Sequence, residues 1–370
     1  MGKHLVLVGG GHAHMLTLAN LHQFVEKGHK VTVTGPSAHH YYSGMGPGML
    51  GKTYAPDQIR FATQHVVKKQ GGTFILGSTT HIDPQKKVVF LESGDRITYD
   101  VLSFNAGSYV PRTNVTDSSG DIYTVKPIEK LMQAQKRIVE LASQKKITVG
   151  IVGGGPSAAE IAANTWQLVN VQGATMPKIQ IFSGDNFMWR LPVKVRKMAV
   201  QSLTQRGIEI LEHNYVKEIR AGQIILESGE RHSLDFIFVA LGVKPSPIFK
   251  NSGLPIGPDG GMEVNSYLQS TAHPEIFGGG DCIYFKDRPL DKVGVYAVRE
   301  NPILFHNLMA SLEGAELKPF DPGGNYLLIF NMGGGSGILH KSGFTLGGRL
   351  AFIIKDYIDR RFMKKFQSIE

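Results

Sequence analysis

ITVGIVGGGPSAAE, residues Ile147 to Glu160, decides how this chain folds. An apolar run, a glycine triplet and a stretch of small residues describe a strand, a tight turn and a helix in immediate succession. Gly153, Gly155 and Ala158 fill the three small-residue positions of a G-x-G-x-x-G/A turn. Such a turn lets the backbone approach a pyrophosphate, with the helix N-terminus facing the negative charge. The pattern predicts a helix over 157–171 and a further strand over 178–183.

The same plan occurs earlier. His4–Val8 is a short apolar run, Gly9, Gly10 and Gly11 follow, and Leu16, Leu21, Phe24 and Val25 mark a helix closed by Gly28. Downstream, LESGDRITYD (Leu91–Asp100) returns 135 residues later as LESGERHSLD (Leu226–Asp235), and Gly107 returns as Gly242. Two similar units are too few for a solenoid. Strand, helix and strand in succession imply parallel sheets with right-handed crossovers. The turns Ser93–Asp95 and Ser228–Glu230 read as hairpins between β-rich runs. The expected class is α/β: two Rossmann-like dinucleotide-binding domains, each a three-layer ββα unit, with a small C-terminal α/β extension.

Composition narrows the function. The 370 residues hold 42% apolar side chains, enough for buried cores, and 44 glycines, well above the usual ~7%. A single cysteine, Cys282, excludes an intramolecular disulfide and a dithiol redox centre. No CxxC pair or carboxylate–histidine spacing supports a metal site, so none is expected. The formal charge of +9 suits anionic cofactors or lipid, but the basic residues are dispersed, and no nucleic-acid partner is expected. The apolar run of MGKHLVLVGGGH is too short for a signal peptide, and no stretch approaches the ~20 apolar residues of a membrane span. The expected location is cytoplasmic, with at most a peripheral membrane contact.

Several features depart from the simple pattern. His14 stands where the first turn's third glycine belongs, so its ring is expected to push the helix outward or turn away. His12 and His14 lie at that helix entry, either donating to a pyrophosphate or partly exposed. An acidic residue that grips ribose belongs at the end of each second strand. Those positions fall near Thr34–Gly35 and Ser183–Gly184, and neither is acidic. Arg190, Lys194 and Arg196 follow the second, leaving open a 2′-phosphate site or a solvated basic helix. The segment 39–57, with Tyr41, Tyr42, Ser43 and Gly44, is expected as a glycine-rich loop lining a pocket. From Lys341 to Glu370 there are seven Lys/Arg and three acids. Leu350, Ile353, Ile354, Tyr357, Ile358, Phe362 and Phe366 recur there at helical spacing, as in a basic amphipathic helix. It fits either a membrane surface or a protein surface, including a second subunit.

Gly9–Gly11 and IFGGGD (Ile276–Asp281), GGGPSAAE (Gly153–Glu160), and the junctions Asn105–Gly107 and Leu241–Gly242 together resemble the pyridine nucleotide-disulfide oxidoreductase superfamily. Within it the chain is most similar to type II NADH dehydrogenases and sulfide:quinone oxidoreductases. GGGHAH, YYSGMGPGM, YDVLSFNAGS and KDYIDRRFM also resemble the branch fused to selenophosphate synthetase. The resemblance implies FAD and NAD(P)H as cofactors, and hydride transfer from a nicotinamide followed by electron transfer to a quinone or similar acceptor, without a cysteine relay. Sulfide or selenium-related flavin chemistry, and a non-catalytic flavin sensor, stand as alternatives. Carried onto this chain, the cofactor-binding residues are Gly9, Gly10, Gly11, His12, His14, Ser43, Asn105, Gly107, Gly153, Gly155, Pro156, Ser157, Gly242, Gly280 and Asp281. Glu160 is the implied catalytic residue, beside the nicotinamide. The implied domains are an FAD domain over 1–112 and 252–325, an NAD(P)H domain over 113–251, and the extension over 326–370.

Overall fold

Strands buried on both faces read as unbroken apolar runs, the signature of a parallel sheet covered by helices. Leu5–Val8 and Val149–Val152 are such runs, and both lie at sheet centres in the computed structural model, which describes residues 2–112, 114–116 and 120–370. Thr113, at the expected domain boundary, lies outside the described residues, as does Met1.

His4–Val8 pairs in parallel with Lys30–Gly35 on one side and Val101–Phe104 on the other. Thr73–Leu76 and Ile276–Gly278 complete this five-stranded sheet at its two edges. The second sheet repeats the order: Thr148–Val152 lies between Lys178–Phe182 and Phe236–Val239, with Glu209–Leu211 and Ile122–Thr124 outermost. Each half also carries a three-stranded antiparallel sheet, 79–98 and 216–233, whose hairpins turn at the two SG-acid segments. The α/β class with two Rossmann-like halves is therefore what the chain forms.

The first helix is not continuous. His12–His14 forms a 3-10 turn, and Met15–Ala19 and His22–Glu26 are separate short helices. The second half instead runs unbroken from Pro156 to Gln172, ended by Gly173 in the left-handed region. Helix Gly294–Glu313 packs on the first turn, and Asn301 Oδ1 accepts the Leu16 N–H at 2.8 Å.

The segment 39–57 corrects its expectation as a loop. It holds the strand His40–Tyr41 and the helix Gly46–Leu50, which packs on helices Glu129–Gln144 and Pro156–Gln172. Met45, Met49, Leu50 and Tyr54 are buried in the core of the second half. Each such side chain contributes about 1.5–3 kcal/mol through burial, so this segment of the first half serves as a brace onto the second.

The chain closes with three antiparallel strands, 328–348, and helix Arg349–Gln367. The amphipathic stripe expected there divides in two. Phe362 and Phe366 turn inward with Ala351, Lys355, Asp359 and Met363, whereas Leu350, Ile353, Tyr357 and Ile358 are exposed, Tyr357 by 63%. Among the described residues no helix is long and apolar enough to cross a membrane.

Candidate functional site

Both glycine turns open onto one cavity of about 1740 Å³, lined also by the junctions after Phe104 and Val239 and by the C-terminal strands. A single small-molecule site occupies roughly 300–1,000 Å³, so this volume accommodates more than one large ligand.

At the first turn, Gly9 has φ +89°, and a Cβ there would lie 2.3 Å from the Asn105 carbonyl oxygen. A Cβ on Gly11 would lie 2.2 Å from Asn105 Oδ1. The turn is thus seated directly on Asn105, whose Oδ1 accepts the Ala13 N–H and whose Nδ2 donates to the Gly279 carbonyl at 2.7 Å. Asn105 lines the cavity, but its amide joins the first turn to the third glycine segment.

The two histidines separate. His14 is wholly buried and does not line the cavity, which corrects the expectation that its ring would displace the helix or face outward. Its Nδ1 donates to the Gly9 carbonyl at 2.7 Å, so in the neutral ring Nε2 accepts from Ser103 Oγ at 2.8 Å. Burial pushes its pKa down to about 4, despite the Gly9 carbonyl. His14 therefore fastens the turn to the strand beneath it rather than reaching a ligand. His12 does line the cavity, stacked on Phe362 at 5.4 Å, with its Nδ1 3.2 Å from His40 Nε2. Burial, then the His40 ring, push its pKa down to about 3, and its buried Nε2 has no hydrogen-bond partner among the described residues.

The second turn is more open. A Cβ on Gly153 would meet the Ala240 carbonyl at 2.4 Å, but one on Gly155 would meet nothing within 4 Å. Gly155, Pro156 and Ser157 border the cavity at the start of a 17-residue helix. The unpaired N–H groups of such a terminus, with the helix dipole behind them, favour an anion.

Asp281 also lines the cavity, its carboxylate accepting from Ser108 Oγ at 2.7 Å and Lys126 Nζ at 2.9 Å. Burial opposes ionisation, yet Lys126 and Ser108 hold the carboxyl below its usual range. Behind it, Glu300 Oε2 accepts the Gly280 N–H at 2.5 Å, fixing that glycine at φ +76°. Cys282 is fully buried and burial pushes its thiol up to about 12. A thiolate, the reactive form, is thereby disfavoured.

Glu160 reaches the cavity from the second helix and accepts the Asn331 N–H at 2.7 Å, so the C-terminal extension completes its surroundings. Burial pushes its pKa up to about 7, against the pull of the Lys355 charge and the Asn331 N–H. Lys355 is itself buried, donating to the Gly44 carbonyl at 2.8 Å and to Asp359 Oδ2 at 2.7 Å. Tyr42 donates to Asp359 Oδ1 at 3.0 Å. Gly10, Ser43, Gly107, Gly242 and Gly280 border the same cavity.

The second ribose position also departs from expectation. Asp185, two residues beyond Ser183, lines the cavity, as do Tyr215, Glu227 and Arg190. Lys194 and Arg196 do not line it, and Arg196 is paired with Glu212 at 2.7 Å. Sequence reasoning missed Asp185, Lys126, Glu300 and Lys355. Asp185 was within reach, two places past the motif position. Lys355 and Asp359 carried a weaker sign, an i,i+4 charged pair on the face opposite Ile353 and Tyr357. Lys126 and Glu300 carry no spacing signal, because tertiary folding alone brings them to Asp281 and Gly280.

Residues 3–307 match the family model described as pyridine nucleotide-disulphide oxidoreductase. The demethylphylloquinone reductase NdbB of Synechocystis sp. is 24% identical over a 370-residue alignment, covering 95% of this chain and 90% of that protein. The structure of NDH2 from Plasmodium falciparum in complex with NADH superposes with a TM-score of 0.84 at 14% identity, covering 99% of this chain and 97% of that one. The sulfide:quinone oxidoreductase of Aquifex aeolicus superposes with a TM-score of 0.81 at 17% identity, covering 100% of this chain and 92% of its own. At these identities the two structures speak to the fold.

Proposed function

The chain belongs to the pyridine nucleotide-disulphide oxidoreductase family, and from that premise we propose that it is an FAD-dependent NAD(P)H oxidoreductase delivering electrons to a quinone or similar small acceptor. The observation that carries this reading is the convergence of two strand–glycine–helix turns and Asp281 on one cavity of about 1740 Å³. The kind of reaction is that of relatives such as the demethylphylloquinone reductase.

The residues present fit the cofactors. Gly155 presents open space at a helix N-terminus, the first turn is held tight against Asn105, and His12, whose buried Nε2 has no hydrogen-bond partner among the described residues, borders the same cavity. We assign FAD to the part built from 1–112 and 252–325, and the nicotinamide nucleotide to 113–251. Gly9–Gly11 and Gly280–Asp281 would hold the flavin nucleotide, with Asp281 accepting from its hydroxyl chain. Gly153–Ser157 would hold the nicotinamide pyrophosphate. When bound, FAD supplies a two-electron relay between nicotinamide and acceptor.

The protein supplies binding, orientation and one proton. A hydride carries two electrons and one proton, so reducing a quinone to a quinol takes up a second proton. Glu160, whose carboxyl titrates near 7, holds a proton at the cavity wall under the charge of Lys355. Cys282 has no part in electron transfer, because its buried thiol lacks a second sulfur. The exposed face of Leu350, Ile353 and Tyr357, flanked by Arg349, Arg361 and Lys364, provides a peripheral contact with an anionic membrane surface, where quinones reside.

Steady-state turnover tests the reading. Protein loaded with FAD and supplied with reduced nicotinamide and a water-soluble benzoquinone is expected to oxidise the nucleotide and form quinol in equal amounts. Nucleotide oxidation that does not rise when quinone is added would overturn quinone as the acceptor.

A further inference from the structure

We propose that Asn164 is a positioning residue: with Glu160 it clasps both main-chain groups of Asn331, and so keeps the Asn331 N–H on the carboxylate that serves the proposed reaction. The proposal rests on reading Glu160 as that reaction's proton-holding group.

Asn331 ends Leu328–Asn331, an edge strand of the C-terminal sheet. An edge strand leaves one row of main-chain groups without a strand partner. On this edge the strand packs against helix Pro156–Gln172. The Asn331 N–H donates to Glu160 Oε1 at 2.7 Å, and its carbonyl accepts from Asn164 Nδ2 at 3.1 Å. Glu160 and Asn164 lie one turn apart on one helix face, so two side chains take the place of a partner strand. Asn164 Nδ2 also donates to the Glu160 carbonyl at 2.8 Å, which ties the clasp to the helix backbone.

Asn164 is fully buried, and its Oδ1 has no hydrogen-bond partner among the described residues. The amide keeps this orientation because both partners of Nδ2 are carbonyls, which can only accept. A buried amide with one atom unsatisfied adds little stability, so what Asn164 contributes is direction: it fixes where the Asn331 main chain lies. One turn further along, Gln167 grips the turn after Asn331 instead, its Oε1 accepting the Gly334 N–H at 2.5 Å and its Nε2 donating to the Gly51 carbonyl at 2.6 Å.

The charged groups that face Glu160 are Lys355 and Asp359 of the last helix, with Tyr42 bonded to Asp359 from the segment 39–57. Substitution of Asn164 alters none of these. A hydrogen bond from an N–H favours the ionised carboxylate. Loosening Asn331 therefore raises the pH at which Glu160 takes up its proton.

The test is titration of the Glu160 carboxyl carbon by nuclear magnetic resonance in FAD-loaded protein labelled at glutamate, with the signal assigned by its loss in Glu160→Gln. Asn164→Ala is expected to move the midpoint upward by about 0.5–1 pH unit. Asn164→Ser, too short to reach the Asn331 carbonyl, is expected to do the same, and it serves if the alanine variant does not fold. Gln167→Met loosens the neighbouring turn but is expected to move the midpoint much less. A retained flavin spectrum shows that each variant has folded. A midpoint unmoved or lowered in the Asn164 variants, or moved equally by Gln167→Met, would overturn the proposal and leave Glu160's part in the reaction standing. A Glu160 signal that does not titrate between about pH 5 and 9 overturns that reading and the proposal together.

Discussion

Lys126 Nζ lies 2.9 Å from the Asp281 carboxylate, joining the strand end of one half to the third glycine segment of the other. Two units that share a sheet order, with no backbone pairing between their central sheets among the described residues, are thereby tied at the cavity wall. The pair holds a mostly buried carboxyl below its usual range, although burial by itself pushes it up.

Lys126→Met is expected to release FAD more readily on the acid side. Because Asp281 titrates below its ordinary value, its contribution is full above about pH 4 and is lost as pH falls through the lowered pKa. Removing the ammonium raises that pKa, so flavin should dissociate at a higher pH than from the unaltered protein. At neutral pH, affinity should fall about tenfold or more. Flavin fluorescence during an acid titration measures both, and Lys126→Arg should restore much of the loss.

Glu160 sets a second pH dependence, of opposite sense. Its carboxyl is raised to about 7, so the protonated form is depleted as pH rises through neutrality. Quinone reduction should therefore decline above about pH 7 in the unaltered protein. In Glu160→Gln it should be roughly a hundredfold slower and nearly flat from pH 6 to 8. Stopped-flow reoxidation of reduced protein by quinone separates this from nucleotide binding.

His14→Ala and His12→Ala should differ sharply. The first removes a buried ring that bonds Gly9 and Ser103, leaving both unsatisfied, and should cost about 2–4 kcal/mol of stability. The second removes a cavity-lining ring whose Nε2 has no hydrogen-bond partner among the described residues, and should cost less in stability than in flavin affinity. Urea unfolding of each variant, with the bound flavin spectrum followed in parallel, checks the contrast.

Such contrasts mark where the fold and site were legible. Val149–Val152 and Leu5–Val8 could only be buried strands, and the repeated LESG segments placed both hairpins, because local periodicity and turn chemistry act over few residues. The glycine turns were legible for the same reason, whereas Asp281 was singled out by the family resemblance. His14 was misread because its ring finds a carbonyl and a hydroxyl 5 and 89 residues away, in a core no local pattern describes. The C-terminal stripe was read as one face because spacing groups apolar residues without saying which of two surfaces each meets. Lys355 and Asp359, charged yet buried, mark the face that docks.

The outward face yields a separate prediction. Ile353→Glu with Tyr357→Glu should weaken binding to vesicles containing anionic phosphatidylserine by about tenfold or more while leaving turnover with a soluble quinone unchanged. Co-sedimentation with such vesicles measures the first, and absorbance at the nicotinamide band the second. Unchanged sedimentation would assign that face to a protein surface instead.

The central claim is that this cavity brings a reduced nicotinamide to a bound flavin. Its most direct test is the visible spectrum of FAD-loaded protein under anaerobic conditions during titration with NADH. The account predicts that the oxidised flavin bands bleach with one equivalent of NADH and return when quinone is added. Flavin bands that persist through excess NADH and NADPH alike would contradict it.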